Sequence, residues 1–253
     1  MGRSDVEVED RERWVFELLA GDYRERPGWP RLLADRLAAL AGGAGAVAVD
    51  LGAGTGSLAV PLAERGLRVI AVEPSGAMLA VLRERAGALP VEARQARAEE
   101  TGLPPASARL AVLADVLQWV DPDAAGRELA RVLAPGGAVA VVEAELAGSS
   151  FADAVREAIR RANPRARPRA SGRTAQLLAC AGAAVGGKEE WLHEELLEPA
   201  RLDAVMRSLS VVGPALGPEA LEALLAEARR LAAAHGGALW ARRVRLTWGR
   251  RPA

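Results

Sequence analysis

The chain has 253 residues, half of them hydrophobic, with 33 basic and 33 acidic side chains and a formal net charge of zero. That length suits one α/β domain with a sizeable core, and a neutral chain sets up no overall field to recruit nucleic acid or an anionic membrane. One cysteine, Cys180, excludes an intrachain disulfide framework and any multi-cysteine metal or cluster site.

Helical patterns over about 4–20 and 30–41 open the chain, and the acidic stretch from Asp5 to Glu12 is unlike a basic export signal. No long uncharged apolar run follows, so the expected location is cytoplasmic. The run 46–51 is apolar apart from Asp50 and reads as a buried strand. Gly52, Gly54 and Gly56 then alternate with Ala53 and Thr55 before a helical pattern near 56–65. A second strand near 68–73 ends in Glu73, at a distance from Gly52 that suits one βαβ crossover and a ribose-binding carboxylate. The reading continues with a helix near 75–87, strands near 91–95 and 109–115, a helix near 123–133 and a strand near 138–144. Strands alternating with helices in this way predict a parallel sheet with helices on both faces. Helices near 150–162 and 172–182, a strand near 185–192, helices near 200–209 and 218–235 and a strand near 238–248 complete the chain.

The glycine spacing selects among nucleotide ligands. A dinucleotide fingerprint needs Gly-x-Gly-x-x-Gly, and here the third glycine comes one place early and is followed by Ser57. A phosphate loop of the Walker type needs a lysine, and Lys188 is the only one in the chain. Glycines let backbone approach a ligand closely, and the amides at the start of the next helix attract an anion. Asp50 is placed to accept hydrogen bonds from turn amides or from a ligand's ammonium. Glu73 is placed to accept two ribose hydroxyls, which disfavours a 2′-phosphate.

Asp50-Leu-Gly-Ala-Gly-Thr-Gly56 resembles the first motif of the class I S-adenosylmethionine-dependent methyltransferases, of the small-molecule type. The likeness continues through Pro74-Ser-Gly-Ala-Met78, Ala98-Glu99, the loop Leu117-Gln-Trp119-Val-Asp121 and the Pro-Gly-Gly turn ending at Gly137. Tyr23 to Pro30 resembles an N-terminal segment that closes over the cofactor. The resemblance implies a Rossmann-like, doubly wound sheet of seven strands, the last antiparallel, with a helical lid. It divides one domain into an N-terminal helical segment 1–42, a cofactor-binding core 43–145, and lid helices with closing strands over 146–253. It also implies S-adenosylmethionine as cofactor, held by Asp50, Gly52, Ala53, Gly54, Gly56, Glu73, Pro74, Met78, Ala98, Glu99, Asp115, Trp119 and Tyr23, with S-adenosylhomocysteine as product. The implied partner is a small-molecule methyl acceptor, for a monomer or homodimer, with no membrane, nucleic acid or metal.

The chain departs from the family at Arg97, where an adenine-binding acid is usual, and at Arg109 early in the fourth strand. An arginine offers only donors, so adenine must be read by backbone near Ala98, by Glu99 or by stacking. Trp119 suits a cofactor wall or core packing, Asp115 a ligand contact or a cap, and Tyr23 a lid or a helix end. His193 and His235 lie in no acid–base constellation, and no catalytic residue is assigned. Arg156, Arg160, Arg161, Arg165, Arg167, Arg169 and Arg173 read as a solvated surface. The alternative functions are an RNA methyltransferase using that stretch as a phosphate track, or a non-catalytic cofactor binder.

Overall fold

The computed structural model describes residues 16–165 and 172–253, so residues 4–15 of the first expected helix, together with Arg167 and Arg169, lie outside it. Helix α1 is seen over 16–23. There follow α2 (Arg31–Ala41), β1 (Val47–Leu51), α3 (Ala59–Glu64), β2 (Arg68–Val72), α4 (Gly76–Ala86), β3 (Val91–Arg94), β4 (Ala108–Ala114) and α5 (Pro122–Val132). The second half gives β5 (Leu133–Leu146), α6 (Ser150–Ala162), α7 (Arg173–Cys180), β6 (Ala184–Leu197), α8 (Pro199–Ser208), α9 (Pro218–Ala234) and β7 (Ala238–Arg250).

The seven strands form one sheet in the order β3-β2-β1-β4-β5-β7-β6. From β3 to β5 every pairing is parallel. Strand β7 runs against β5: Arg251 bonds Gly137 and Ala147 bonds Ala241, so residue numbers rise on one strand as they fall on the other. The expected antiparallel last strand is present, inserted between β5 and β6. Strands β1 and β4 are buried on both faces, as the apolar runs around Val49 and Val112 require of central parallel strands. From β1 the chain crosses by α3 to β2 on one side, and β4 enters on the other. The β1/β4 boundary is therefore the switch point, beyond whose carboxyl ends ligands of open α/β sheets bind.

By its internal packing the chain divides into two units. Among the described residues, the larger comprises 28–143, 172–190 and 245–253; the smaller comprises 16–27, 144–165 and 191–244. In the larger, Val49, Leu51, Val72, Leu113, Leu129, Val139 and Leu177 share one apolar core. In the smaller, α6, α8 and α9 pack around Phe151, Val155, Met206, Leu225 and Trp240. Of the segment expected as a lid, α7 therefore belongs with the sheet, where it packs on α5.

Three elements differ most from the expected bounds. Helix α3 is regular only over Ala59–Glu64, because residues 54–58 form turns around Gly54 and Gly56. Strand β5 starts early, but its register on β4 jumps between Ala108 and Leu110, from Leu133 to Ala138. The expected Pro-Gly-Gly turn is thus an irregularity within the strand, with Gly136 at φ 70°. Arg109 donates to the Pro135 carbonyl at 2.9 Å inside it. Strand β6 extends to Leu197, since its inward positions stay partly buried through the run of glutamates on an edge strand.

Candidate functional site

The turn after β1 is built from three glycines in the left-handed region, with φ of 69°, 53° and 79° at Gly52, Gly54 and Gly56. The amides of Gly52 and Ala53 both donate to the Val72 carbonyl, at 2.8 and 3.1 Å, which ties the turn to the end of β2. Glu73, next along, accepts the Gly54 amide on Oε2 and the Ser75 amide on Oε1, both at 3.0 Å. One carboxylate therefore fixes the turn after β1 and the start of α4 together, while the Ser75 hydroxyl caps α4 through the Met78 amide.

Space at the glycines is divided differently from the sequence reading, which gave all of it to the ligand. A Cβ on Gly52 would lie 2.3 Å from a Val116 methyl, and one on Gly56 would lie 2.9 Å from Leu82. These two glycines are demanded by the chain's own packing. Val116 follows β4 and Gly52 follows β1, so their contact closes the base of the crevice at the switch point.

Asp50 is 2% exposed and Glu73 6%. Burial, then the charge of Glu73, push the Asp50 carboxyl up to about 7, against a smaller opposing pull from the Ala59 amide. Its Oδ2 is buried and has no hydrogen-bond partner among the described residues. A pair of buried acids with an orphaned oxygen is satisfied by a cationic hydrogen-bond donor, which lowers the cost of ionising both. The acceptor set thus fits an amino-acid tail with its ammonium.

The loop after β4 forms the other side of the crevice. Asp115 has φ 57°, uncommon for a residue other than glycine and a conformation concentrated at binding sites. Its amide bonds Val142 at 2.9 Å, and its carbonyl accepts from the Gln118 amide group at 2.8 Å. A single 3₁₀ turn, Leu117–Trp119, follows, with Trp119 half-buried. Glu99 accepts the Asp121 amide at 3.0 Å and lies 3.4 Å from Arg97, and Asp121 in turn caps α5 through the amides of Asp123 and Ala124. Glu99 is thus an anchor of this loop as well as a neighbour of Ala98.

Among the remaining expected residues, Met78 and Ala98 are buried, and the Pro74 carbonyl accepts from Gln95 at 3.1 Å. Tyr23 lies in the smaller unit, where the Arg26 guanidinium covers its ring at 3.7 Å and Phe16 meets it edge-on. Arg26 also donates to the Ser208 hydroxyl at 2.8 Å, which anchors that segment. His193 is held below its ordinary pKa by burial and by Arg242, partly offset by Glu195, and His235 bonds Ser150 at 3.0 Å.

Two residues of the larger unit escaped the sequence reading. The Trp29 indole donates to the Ser57 hydroxyl at 3.2 Å, directly beyond the third glycine. Its place in the Tyr23–Pro30 segment was the available signal. Arg173, read as solvated, donates from Nε and Nη2 to the Leu117 carbonyl, at 3.2 and 3.1 Å, and from Nη2 to the Val120 carbonyl at 2.5 Å. No local pattern announces it, because its partners lie 53 and 56 positions away. Others of the stretch are also engaged internally: Arg161 with Glu227 at 2.6 Å, and Arg156 with the Leu146 carbonyl at 2.8 Å.

Residues 49–141 match the family described as "Methyltransferase domain". An uncharacterised methyltransferase of Mycobacterium tuberculosis is 45% identical over 129 residues, 50% of this chain and 51% of that protein. The demethylmenaquinone methyltransferase of Thermus thermophilus is 38% identical over 100 residues, 38% of this chain and 46% of that protein. The chain thus spans about half the length of the curated relatives it matches. A solved structure from Anaeromyxobacter dehalogenans, provisionally described as a type II methyltransferase, superposes with a TM-score of 0.64 at 26% identity, covering 90% of this chain and 99% of that one. Among the described residues no helix is long and apolar enough to cross a membrane.

Proposed function

We propose that the chain, whose residues 49–141 match a methyltransferase domain, is a class I S-adenosylmethionine-dependent enzyme that moves a methyl group to O, N, C or S of a small molecule. The cofactor supplies an electrophilic sulfonium methyl, which passes to the acceptor and leaves a thioether. The protein's share is to bind, orient and exclude water, and alignment of two reactants alone contributes roughly 7–11 kcal/mol to such a displacement. That share needs no triad or metal cluster.

One observation carries the reading: Asp50 and Glu73, both buried, stand at the carboxyl ends of adjacent strands on either side of a left-handed glycine turn. Asp50 is assigned the cofactor's ammonium, since its Oδ2 is the orphan of the pair. Glu73 is assigned the ribose, its plane already set by Gly54 and Ser75. Trp119 and Ala98 are assigned to the adenine, and Asp115 to the rim nearest the methyl. Helix α3, with six residues, adds little dipole, so the tail's carboxylate is assigned to turn amides following Gly54. The internal pairing of Arg156, Arg161 and Arg173 favours a small acceptor over an RNA phosphate track.

Incubation of the protein with methyl-labelled S-adenosylmethionine and a fractionated metabolite extract tests this reading. A labelled small molecule that forms with wild type and not with Asp50→Asn supports it. Cofactor binding without any labelled product would reduce the chain to a silent binder.

A further inference from the structure

We propose that Arg173 is a positioning residue for the cofactor site, acting through the loop after β4; this rests on that loop being a wall of the S-adenosylmethionine site. The guanidinium is half-buried and its three hydrogen bonds end on the carbonyls of Leu117 and Val120, which bracket the 3₁₀ turn Leu117–Trp119. The Leu117 carbonyl belongs to the first residue of the turn and the Val120 carbonyl follows its last, so one guanidinium ties the two ends of the turn together. The planar fork of arginine spans both carbonyls at once; a lysine ammonium is a point donor and does not.

The clamp is delivered by a rigid support. Helix α7 sits so close to α5 that a Cβ on Gly126 would lie 2.4 Å from the Cys180 Cβ. Gln176 and Cys180 both donate to Asp123, at 2.8 and 3.1 Å, which fixes the helix pair in register. From this base Arg173 sets the loop, and the loop in turn carries Val116 onto Gly52 and holds Asp115 in its left-handed conformation. Two strained or close-packed features at the switch point thus depend on a distant guanidinium together with Glu99, which holds the far end of the loop through Asp121. Without the guanidinium the loop has more conformations to lose when a ligand binds, and the cost falls on affinity.

The test compares Arg173→Ala, Arg173→Lys and, as a control in the same stretch, Arg160→Ala. Calorimetry gives the Kd for S-adenosylhomocysteine, and fluorine NMR of 5-fluorotryptophan protein, with Trp119 assigned through Trp119→Phe, reports the loop. The proposal expects Kd to rise about tenfold in Arg173→Ala, less in Arg173→Lys, and to stay unchanged in Arg160→Ala. It also expects the Trp119 resonance to shift or broaden while those of other tryptophans hold. A folded Arg173→Ala with wild-type Kd, or with an unmoved Trp119 resonance, overturns it. Should Arg173→Ala not fold, Arg173→Lys decides by the same two readouts. If wild type binds no S-adenosylhomocysteine, the cofactor reading fails, and the Trp119 signal alone still upholds or overturns the clamp.

Discussion

The turn after β1 and the loop after β4 face each other across the switch point, yet they are shaped by different means. The first is held by its own glycines and by Glu73, 19 positions on from Gly54. The second is held by Glu99, which reaches Asp121 across 22 positions, and by Arg173, which reaches Leu117 across 56. A turn whose geometry follows from residues inside it tolerates little change there. A loop held by distant side chains should keep its fold and lose its order when one of them is removed.

The largest effect tests the first half of that contrast. Gly52→Ala places a Cβ against Val116 at a φ of 69°, so strain and overpacking together should cost about 2–5 kcal/mol in denaturant unfolding. Adding Val116→Ala should recover part of the loss, because the two crowding methyls are gone. No recovery would show that backbone strain alone demands the glycine.

Next comes Glu73→Gln, which replaces one amide-accepting oxygen by a donor and should cost roughly 1–3 kcal/mol. The same change removes the charge that raises Asp50, so the Asp50 titration, followed by carboxyl NMR, should move down from about 7. A stationary Asp50 would break the electrostatic link between the two strand ends.

A smaller and graded effect is that of pH. In the folded chain Asp50 keeps a proton up to about 7 that the unfolded chain releases near 3.8, so its contribution to stability declines as pH rises between those values. Asp50→Asn should flatten that slope in denaturation curves taken at intervals from pH 4 to 7. Glu128 has the opposite sign. Burial alone would raise its carboxyl, but hydrogen bonds from Arg131 and Thr101 outweigh this and hold it at about 2. Its contribution is complete above its ordinary value of 4.5 and is lost as pH falls towards 2. The smallest effect is expected for Arg160→Ala and Arg161→Ala, whose exposed ion pairs should each be worth about 0–1 kcal/mol.

The same contrast explains what was legible in the sequence. Strands β1, β2 and β4 announce themselves because buried parallel strands are nearly continuous apolar runs; Asp50 falls at the end of β1, and Gly52 and Glu73 follow β1 and β2 directly. The helix expected near 150–162 is α6, Ser150–Ala162, which the Ser149 hydroxyl caps through the Ala152 amide. The division of space at the glycines was not legible, because Val116 and Leu82 arrive from other elements. Nor was Arg173, since charge in an arginine-rich stretch looks solvated until the fold supplies carbonyls to receive it. The end of β6 is likewise hidden in the sequence, because an edge strand carries charge on both faces, which masks its alternation.

The central claim is that the strand-end carboxylates and the glycine turn between them hold S-adenosylmethionine, and calorimetric titration of wild type, Glu73→Ala and Gly54→Val with that cofactor tests it most directly. The account predicts saturable binding by wild type and a loss of at least about tenfold in each folded variant. Equal affinity in all three proteins would contradict it.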